Sequence, residues 1–187
     1  VDTEIARLHG SVMSHWNEDT VFAFTADHGE EFGDHGGFSH SHTFYDELLH
    51  VPTFVNDGSG QGRHEELAGL LDMTPTLLEA AGVEPGGSFL GTPLQYMGTE
   101  RYDRSSVVAE GSEGQTGDDR FGIRTTDWKY IVDAEGSERL YDLNEDPAER
   151  EDRSQHEDAP IGWFRERLEK HRVLLAQNQD DIGKVSM

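Results

Sequence analysis

TVFAFTADHGEEFGDHG, residues Thr20 to Gly36, decides the fold of this 187-residue chain. Val21 to Phe24 are β-branched, aromatic or small, as a covered strand requires, and the run is too short for an ordinary helix. Asp27 and His28 then fall where the strand ends. In an open α/β sheet ligands bind outside the carboxyl ends of the strands, so a carboxylate beside an imidazole at that point makes a candidate metal site. Gly29 turns the backbone at once, and Gly33, Asp34, His35, Gly36, His40 and His42 follow within one loop. So much glycine, histidine and carboxylate is poor core material and good site material.

Upstream, Ile5, Leu8, Val12 and Trp16 recur at helical spacing, which predicts an amphipathic helix over 2–16 leading into the strand. Downstream, residues 50–55 (HVPTFV) read as a second short strand, closed by the turn-rich run from Asn56 to Gly60. DMTPTLLEAAG, residues 72–82, predicts a helix with Thr74 as N-cap, Pro75 in its first position and Gly82 past its end. From Val107 the pattern changes to four short strands, at 107–110, 120–124, 128–132 and 139–143, with residues 111–119 as a mobile loop. They imply a small antiparallel sheet beside a parallel core. A helix over 160–177, built on Ile161, Phe164, Leu168 and Leu175, is expected to pack on that sheet, and residues 178–187 to fray.

The length allows one good core or a core with an added layer. The expected division is an α/β core over 1–100 with the metal-site loop, and a sheet subdomain with the terminal helix over 101–187. The net charge of -23, from 38 acidic against 15 basic residues, disfavours nucleic acid and anionic membranes as partners. Such self-repulsion is screened at about 1 M salt, where the Debye length is about 3 Å, so a halophilic archaeal source with a salt-rich cytoplasm is expected. There is no cysteine, hence no disulfide and no thiolate chemistry within the chain. No apolar run approaches a membrane span and no signal peptide is visible, so the expected location is cytoplasmic.

The order of these blocks resembles the C-terminal half of a sulfatase of the alkaline-phosphatase-like superfamily. The resemblance rests on TADHGEEFGDHGG, HSHTFYDELLHVPTFV, LDMTPTLLEAAGV, SFLGTPL, FGIRTTDWKYIVD and LYDLNEDPAER, the last containing the family's Asp-Pro-x-Glu loop. It implies an α/β fold: part of a mixed, mostly parallel sheet with flanking helices, a small antiparallel sheet and a C-terminal helix. It implies Asp27 and His28 as ligands of a divalent cation, usually Ca²⁺, with Mn²⁺ or Zn²⁺ open because histidine also suits softer ions. His40 takes a slot that many sulfatases fill with lysine, as a donor to an ester oxygen or the leaving alcohol, with His42 as its rival. Asp34 and His35 would hold the ligands in orientation. His50 departs from the arginine common before Val-Pro.

The same resemblance implies a formylglycine nucleophile, formed at the Cys/Ser-x-Pro-x-Arg motif. That motif and the family's N-terminal Asp-Asp ligand pair are absent from these 187 residues and are expected upstream, in a missing N-terminal half. The expected activity of the intact enzyme is hydrolysis of a sulfate ester, of a small molecule or a glycan, and the chain alone is expected to be inactive. The alternatives are a phosphodiesterase, phosphonate hydrolase or phosphoglycerol transferase of the same superfamily, or a non-catalytic truncated remnant.

Overall fold

A computed structural model describes residues 1–16, 20–40, 43–58, 62–86, 89–112 and 119–185. They form two compact units, Val1–Gly29 with His50–Arg104, and Glu30–Leu49 with Ser105–Met187. The loop after Gly29, expected with the α/β core, folds with the C-terminal sheet instead. Its residues 43–49 carry the apolar and acidic side chains that this sheet's outer face needs, as described below.

In the first unit helix α1 (Asp2–His15) precedes strand β1 (Phe22–Phe24), which pairs with β4 (Phe54–Asn56). The pairing is antiparallel, with Ala23 opposite Val55, so these two strands are not joined as a parallel crossover. Helix α1 buries none of its residues, and Leu8 and Trp16 of the expected apolar stripe are exposed. It meets the strands through His9 instead, whose ring stands edge-on to Phe22 at 5.1 Å and whose Nε2 lies 3.2 Å from the Asn56 amide.

Helix α3 (Met73–Ala80) begins after a 3₁₀ turn (Leu70–Asp72), so Asp72, not Thr74, holds its N-cap position, and Pro75 sits in the first turn where its missing N–H is harmless. The Asp72 carboxylate is fully buried and accepts from the backbone N–H groups of Gly69 and Thr92, the Tyr102 hydroxyl and Arg104. Because it satisfies donors of neighbouring loops, it does not cap its own helix. Gly82 donates to the Glu79 carbonyl and Val83 to that of Leu78, which closes the helix as its sequence predicts.

The second unit is built on the antiparallel sheet β5 (Val107–Ser112), β6 (Asp119–Arg124), β7 (Trp128–Val132) and β8 (Glu138–Asp142), in sequence order. Strands β5 and β6 extend into the expected loop at both ends; its residues 113–118 lie outside the described ones. Alternation along the strands sorts their side chains onto two faces. Phe121, Ile123, Tyr130, Val132 and Leu140 turn one way and form the core with Phe164 and Leu168 of helix α4 (Ile161–Val185). That helix continues through Val185, past the expected fraying point.

Ile131 and Tyr141 turn the other way and pack with Phe44 and Tyr45, just before helix α2 (Asp46–Leu49). Gly122 allows this approach, since a Cβ built there would stand 2.8 Å from the Phe44 Cβ. Gly122→Ala is therefore expected to cost about 1–3 kcal/mol through overpacking, read as a lower denaturation midpoint. An unchanged midpoint would mean that Phe44 does not lie against β6.

Candidate functional site

The candidate residues divide between the two units. In the first, Asp27 and His28 follow β1 directly, and the Thr25 and Thr53 hydroxyls, 2.8 Å apart, tie that strand end to the residue before β4. The His28 backbone N–H donates to Asp27 Oδ1 at 3.0 Å, which sets the carboxylate beside the ring. His28 Nδ1 lies 2.7 Å from the Gly29 carbonyl. A carbonyl can only accept, so Nδ1 carries the proton and the lone pair resides on Nε2. A neighbouring carbonyl fixes the tautomer of metal-binding histidines in this way.

Nε2 stands 3.8 Å from Asp27 Oδ2, and the two side chains are 42% and 89% exposed. One cation with bonds of about 2.0–2.5 Å spans two donors at such a separation. The pair thus fits a divalent ion as two of its ligands. Among the described residues no three acidic or histidine side chains gather around one point, so further ligands would come from outside this set.

The second unit carries the other candidates. Strands β2 (Glu31–Phe32) and β3 (Phe38–Ser39) make a short antiparallel pair, and His40 follows it. His40 Nδ1 lies 3.2 Å from Glu30 Oε2, with both side chains about 40% exposed, so a carboxylate is at hand to hold the ring. Asp34 is exposed and accepts from the Phe32 N–H at 3.2 Å, a local bond within its own turn. His42 lies outside the described residues.

His35 is set quite differently. Its ring lies flat on Tyr45, with centroids 3.6 Å apart and planes within 7°. Nδ1 is 2.6 Å from Glu47 Oε1, while Nε2 faces the carbonyls of Ala148 and Glu149 at 3.0 and 3.1 Å. Burial disfavours the charged ring, but the hydrogen bond and charge of Glu47, with the two carbonyls, outweigh it and raise its pKa above the ordinary histidine value.

Beneath this contact lies a charged cluster that sequence reading did not single out. Lys129 is fully buried, with Nζ 2.5 Å from Asp46 Oδ1 and 3.5 Å from Glu149 Oε1. Arg124 reaches the same Asp46 at 3.2 Å, and the Asp46 backbone N–H donates to Glu149 Oε2 at 2.6 Å. Burial would raise the Asp46 pKa, but Lys129 and Arg124 outweigh it and hold the carboxyl below its usual range. For Glu149 burial prevails over Lys129, and its pKa is raised. Scarcity of lysine was the available signal: Lys129 is one of three in the chain and the only one inside a predicted strand.

Residues 1–83 match the model of the protein family described as Sulfatase. The chain is 31% identical over 206 residues to the Delta 4,5-hexuronate-2-O-sulfatase of Bacteroides thetaiotaomicron, covering 100% of this chain and 40% of that protein. Among solved structures it is similar to a 2-O GAG sulfatase, with a TM-score of 0.66 and 25% identity over 85% of this chain and 36% of that one. It is also similar to the phosphonate monoester hydrolase of Agrobacterium radiobacter, with a TM-score of 0.67 and 24% identity, covering 96% and 39%. The chain has the alkaline-phosphatase-like fold of the sulfatases, and relatives of both units are sulfatase-type hydrolases. It spans about a third of the length of the curated relatives it matches.

Proposed function

We propose that these residues serve a sulfatase that hydrolyses a sulfate ester, with Asp27 and His28 holding a divalent cation and His40 donating to an ester or leaving-group oxygen. The observation that carries the reading is the Asp27–His28 pair at the end of β1, its imidazole tautomer fixed by the Gly29 carbonyl. Ca²⁺ is the proposed ion, and Mn²⁺ or Zn²⁺ would also accept a carboxylate and an imidazole. When bound, such an ion offsets the negative charge of the ester and of its transition state. His40, steadied by Glu30, would place a proton or a positive charge at the departing oxygen. Sulfated sugars are the proposed substrate class, by analogy with the hexuronate sulfatase.

The formylglycine nucleophile would come from outside these 187 residues, which contain no cysteine and no Ser-x-Pro-x-Arg sequence. Among the described residues no helix is long and apolar enough to cross a membrane, and a salt-rich cytoplasm remains the proposed setting for the net charge of -23. The likeness to a phosphonate monoester hydrolase favours one second reading, phosphoryl-type hydrolysis on the same scaffold.

The test is an assay of the whole protein with an aryl sulfate and an aryl phosphonate monoester at high KCl, before and after chelation. Sulfate hydrolysis that chelation removes and Ca²⁺ restores is the expected result. Preference for the phosphonate would move the assignment to the second reading, and turnover indifferent to chelation would remove the proposed cation role.

A further inference from the structure

His35 meets oxygen at both ring nitrogens, and beside an ionised Glu47 that arrangement favours the doubly protonated ring. Both ring nitrogens face oxygens: Nδ1 faces Glu47 Oε1 at 2.6 Å, and Nε2 the carbonyls of Ala148 and Glu149 at 3.0 and 3.1 Å. The two carbonyls have no proton to give, so Nε2 must donate. A carboxylate at 2.6 Å from Nδ1 then calls for a second proton, since a lone pair facing an anion in a site 14% exposed would repel it. Only the imidazolium donates on both sides.

The surroundings match a fixed cation. The Tyr45 ring lies flat against the imidazole, offering its negative π-face at 3.6 Å. The backbone around it is pinned too, since the N–H groups of His35 and Gly37 both donate to Glu31 Oε1, whose side chain is buried. What the ring joins is also specific. On one side is the segment 30–40, which ends in His40; on the other is the turn 146–149, the Asp-Pro-x-Glu loop of the sequence. Tyr45 and Glu47, which flank Asp46, supply the floor and the anion.

We propose that His35 is a positioning residue that carries its charge at neutral pH, an imidazolium latch that ties the His40-bearing segment to the turn at Ala148 and Glu149. The consequence for turnover rests on the role of His40 proposed above; the latch itself does not.

Other ionisable groups nearby do not compete for this role. The Glu149 carboxylate turns away, to the Asp46 N–H and Lys129, and Lys129 and Arg124 are engaged by Asp46. Asp146 accepts from the backbone of Arg150 and Glu151. Arg139 is held by Asp133 and the Tyr45 hydroxyl, and with Arg120 it lines the cavity beside the ring. Glu47 is thus the group that supplies the charge.

The sign of the pH dependence follows. The folded pKa of His35 is raised, so the latch is fully formed below the ordinary value of about 6.5 and is lost as pH rises through the higher folded value. Nitrogen NMR of the whole protein tests this, with the His35 ring identified by its loss in His35→Gln. Both ring nitrogens should carry protons at neutral pH, and Glu47→Gln, which keeps an acceptor without its charge, should lower the titration midpoint. A ring that titrates at about 6.5, or a midpoint that Glu47→Gln leaves in place, overturns the proposal.

Amide exchange across residues 31–37 should accelerate in His35→Gln, with Ile123, Tyr130 and Leu140 unaffected. In turnover, His35→Gln should lower kcat by on the order of 10- to 100-fold with little change in KM, the size of effect that slight misplacement produces. His35→Arg should recover part of it, because a guanidinium also donates on both sides and stacks on tyrosine. Equal losses in the two variants would mean that ring shape rather than charge holds the segment, and would overturn the latch. If the whole protein hydrolyses no sulfate ester, the proposed function fails while ring titration and amide exchange still decide the latch.

Discussion

Asp27→Ala and His28→Ala, each made in the whole protein, are expected to abolish sulfate-ester hydrolysis and to weaken divalent-metal binding. Each change removes one of the two donors that this chain sets 3.8 Å apart at the end of β1. The alanine at 28 also removes the ring whose tautomer Gly29 selects. A cation short of one first-contact ligand loses both affinity and the ability to offset charge on the reacting ester. Asp34→Ala should do far less, because that exposed carboxylate serves only its own turn. Calorimetric titration of Ca²⁺ into the three variants, alongside turnover, is the measurement. Metal affinity unchanged in Asp27→Ala would refute the assignment.

His40→Ala is expected to lower kcat by on the order of 10²- to 10⁴-fold for an alkyl sulfate, the usual contribution of a positioned acid, and by much less for an activated aryl sulfate. An aryl oxide with a low pKa departs without needing a proton, whereas an alkoxide does not. Glu30 makes a second arm of the test, since its carboxylate lies 3.2 Å from the ring. Glu30→Gln should therefore show the same dependence on leaving group with a smaller loss. Equal losses for both esters would assign His40 to ground-state binding. If His42→Ala rather than His40→Ala shows the dependence, the acid is the neighbouring histidine.

Much of the fold was legible where local pattern and final environment agree. The β7 run Trp128 to Val132 is aromatic or β-branched but for Lys129, sits between turn signals and forms the strand expected of it. Phe164 and Leu168 fall one helical turn apart and enter the core together. Reading failed where a surface was covered by something distant in sequence. Lys129 points to the outer face of its strand, where a lysine would ordinarily be wet, yet residues 43–49 cover that face and leave Lys129 fully buried.

The same holds for the site. The Asp27–His28 pair could be read from a strand followed by glycine, because its geometry is local. His35 could be picked out as a site-loop histidine, but its partners could not, since Glu47 and the carbonyls of Ala148 and Glu149 come from elsewhere in the chain. Thr74 resembled an N-cap by type and spacing. Asp72 took the position because residues far from it in sequence needed its carboxylate: Tyr102 and Arg104, 30 and 32 positions away.

The excursion of residues 30–49 into the second unit sets the order in which the protein can be made. The His35 ring and the Glu149 carbonyl it contacts are 114 positions apart, and the first unit's residues 50–104 are synthesised between them. At translation rates of about 5–20 residues per second, that interval lasts about 6–23 s. Throughout it the segment bearing His40 has neither its sheet nor its turn, and Phe44 and Tyr45, which the sheet later covers, are available to chaperones or to other nascent chains. Strands β1 and β4 can pair long before then, so the strand end that carries Asp27 and His28 can form early and the segment that carries His40 late. Ribosome stalling at successive lengths would register this as protease resistance appearing in two steps, the second only after Glu149 has cleared the exit tunnel.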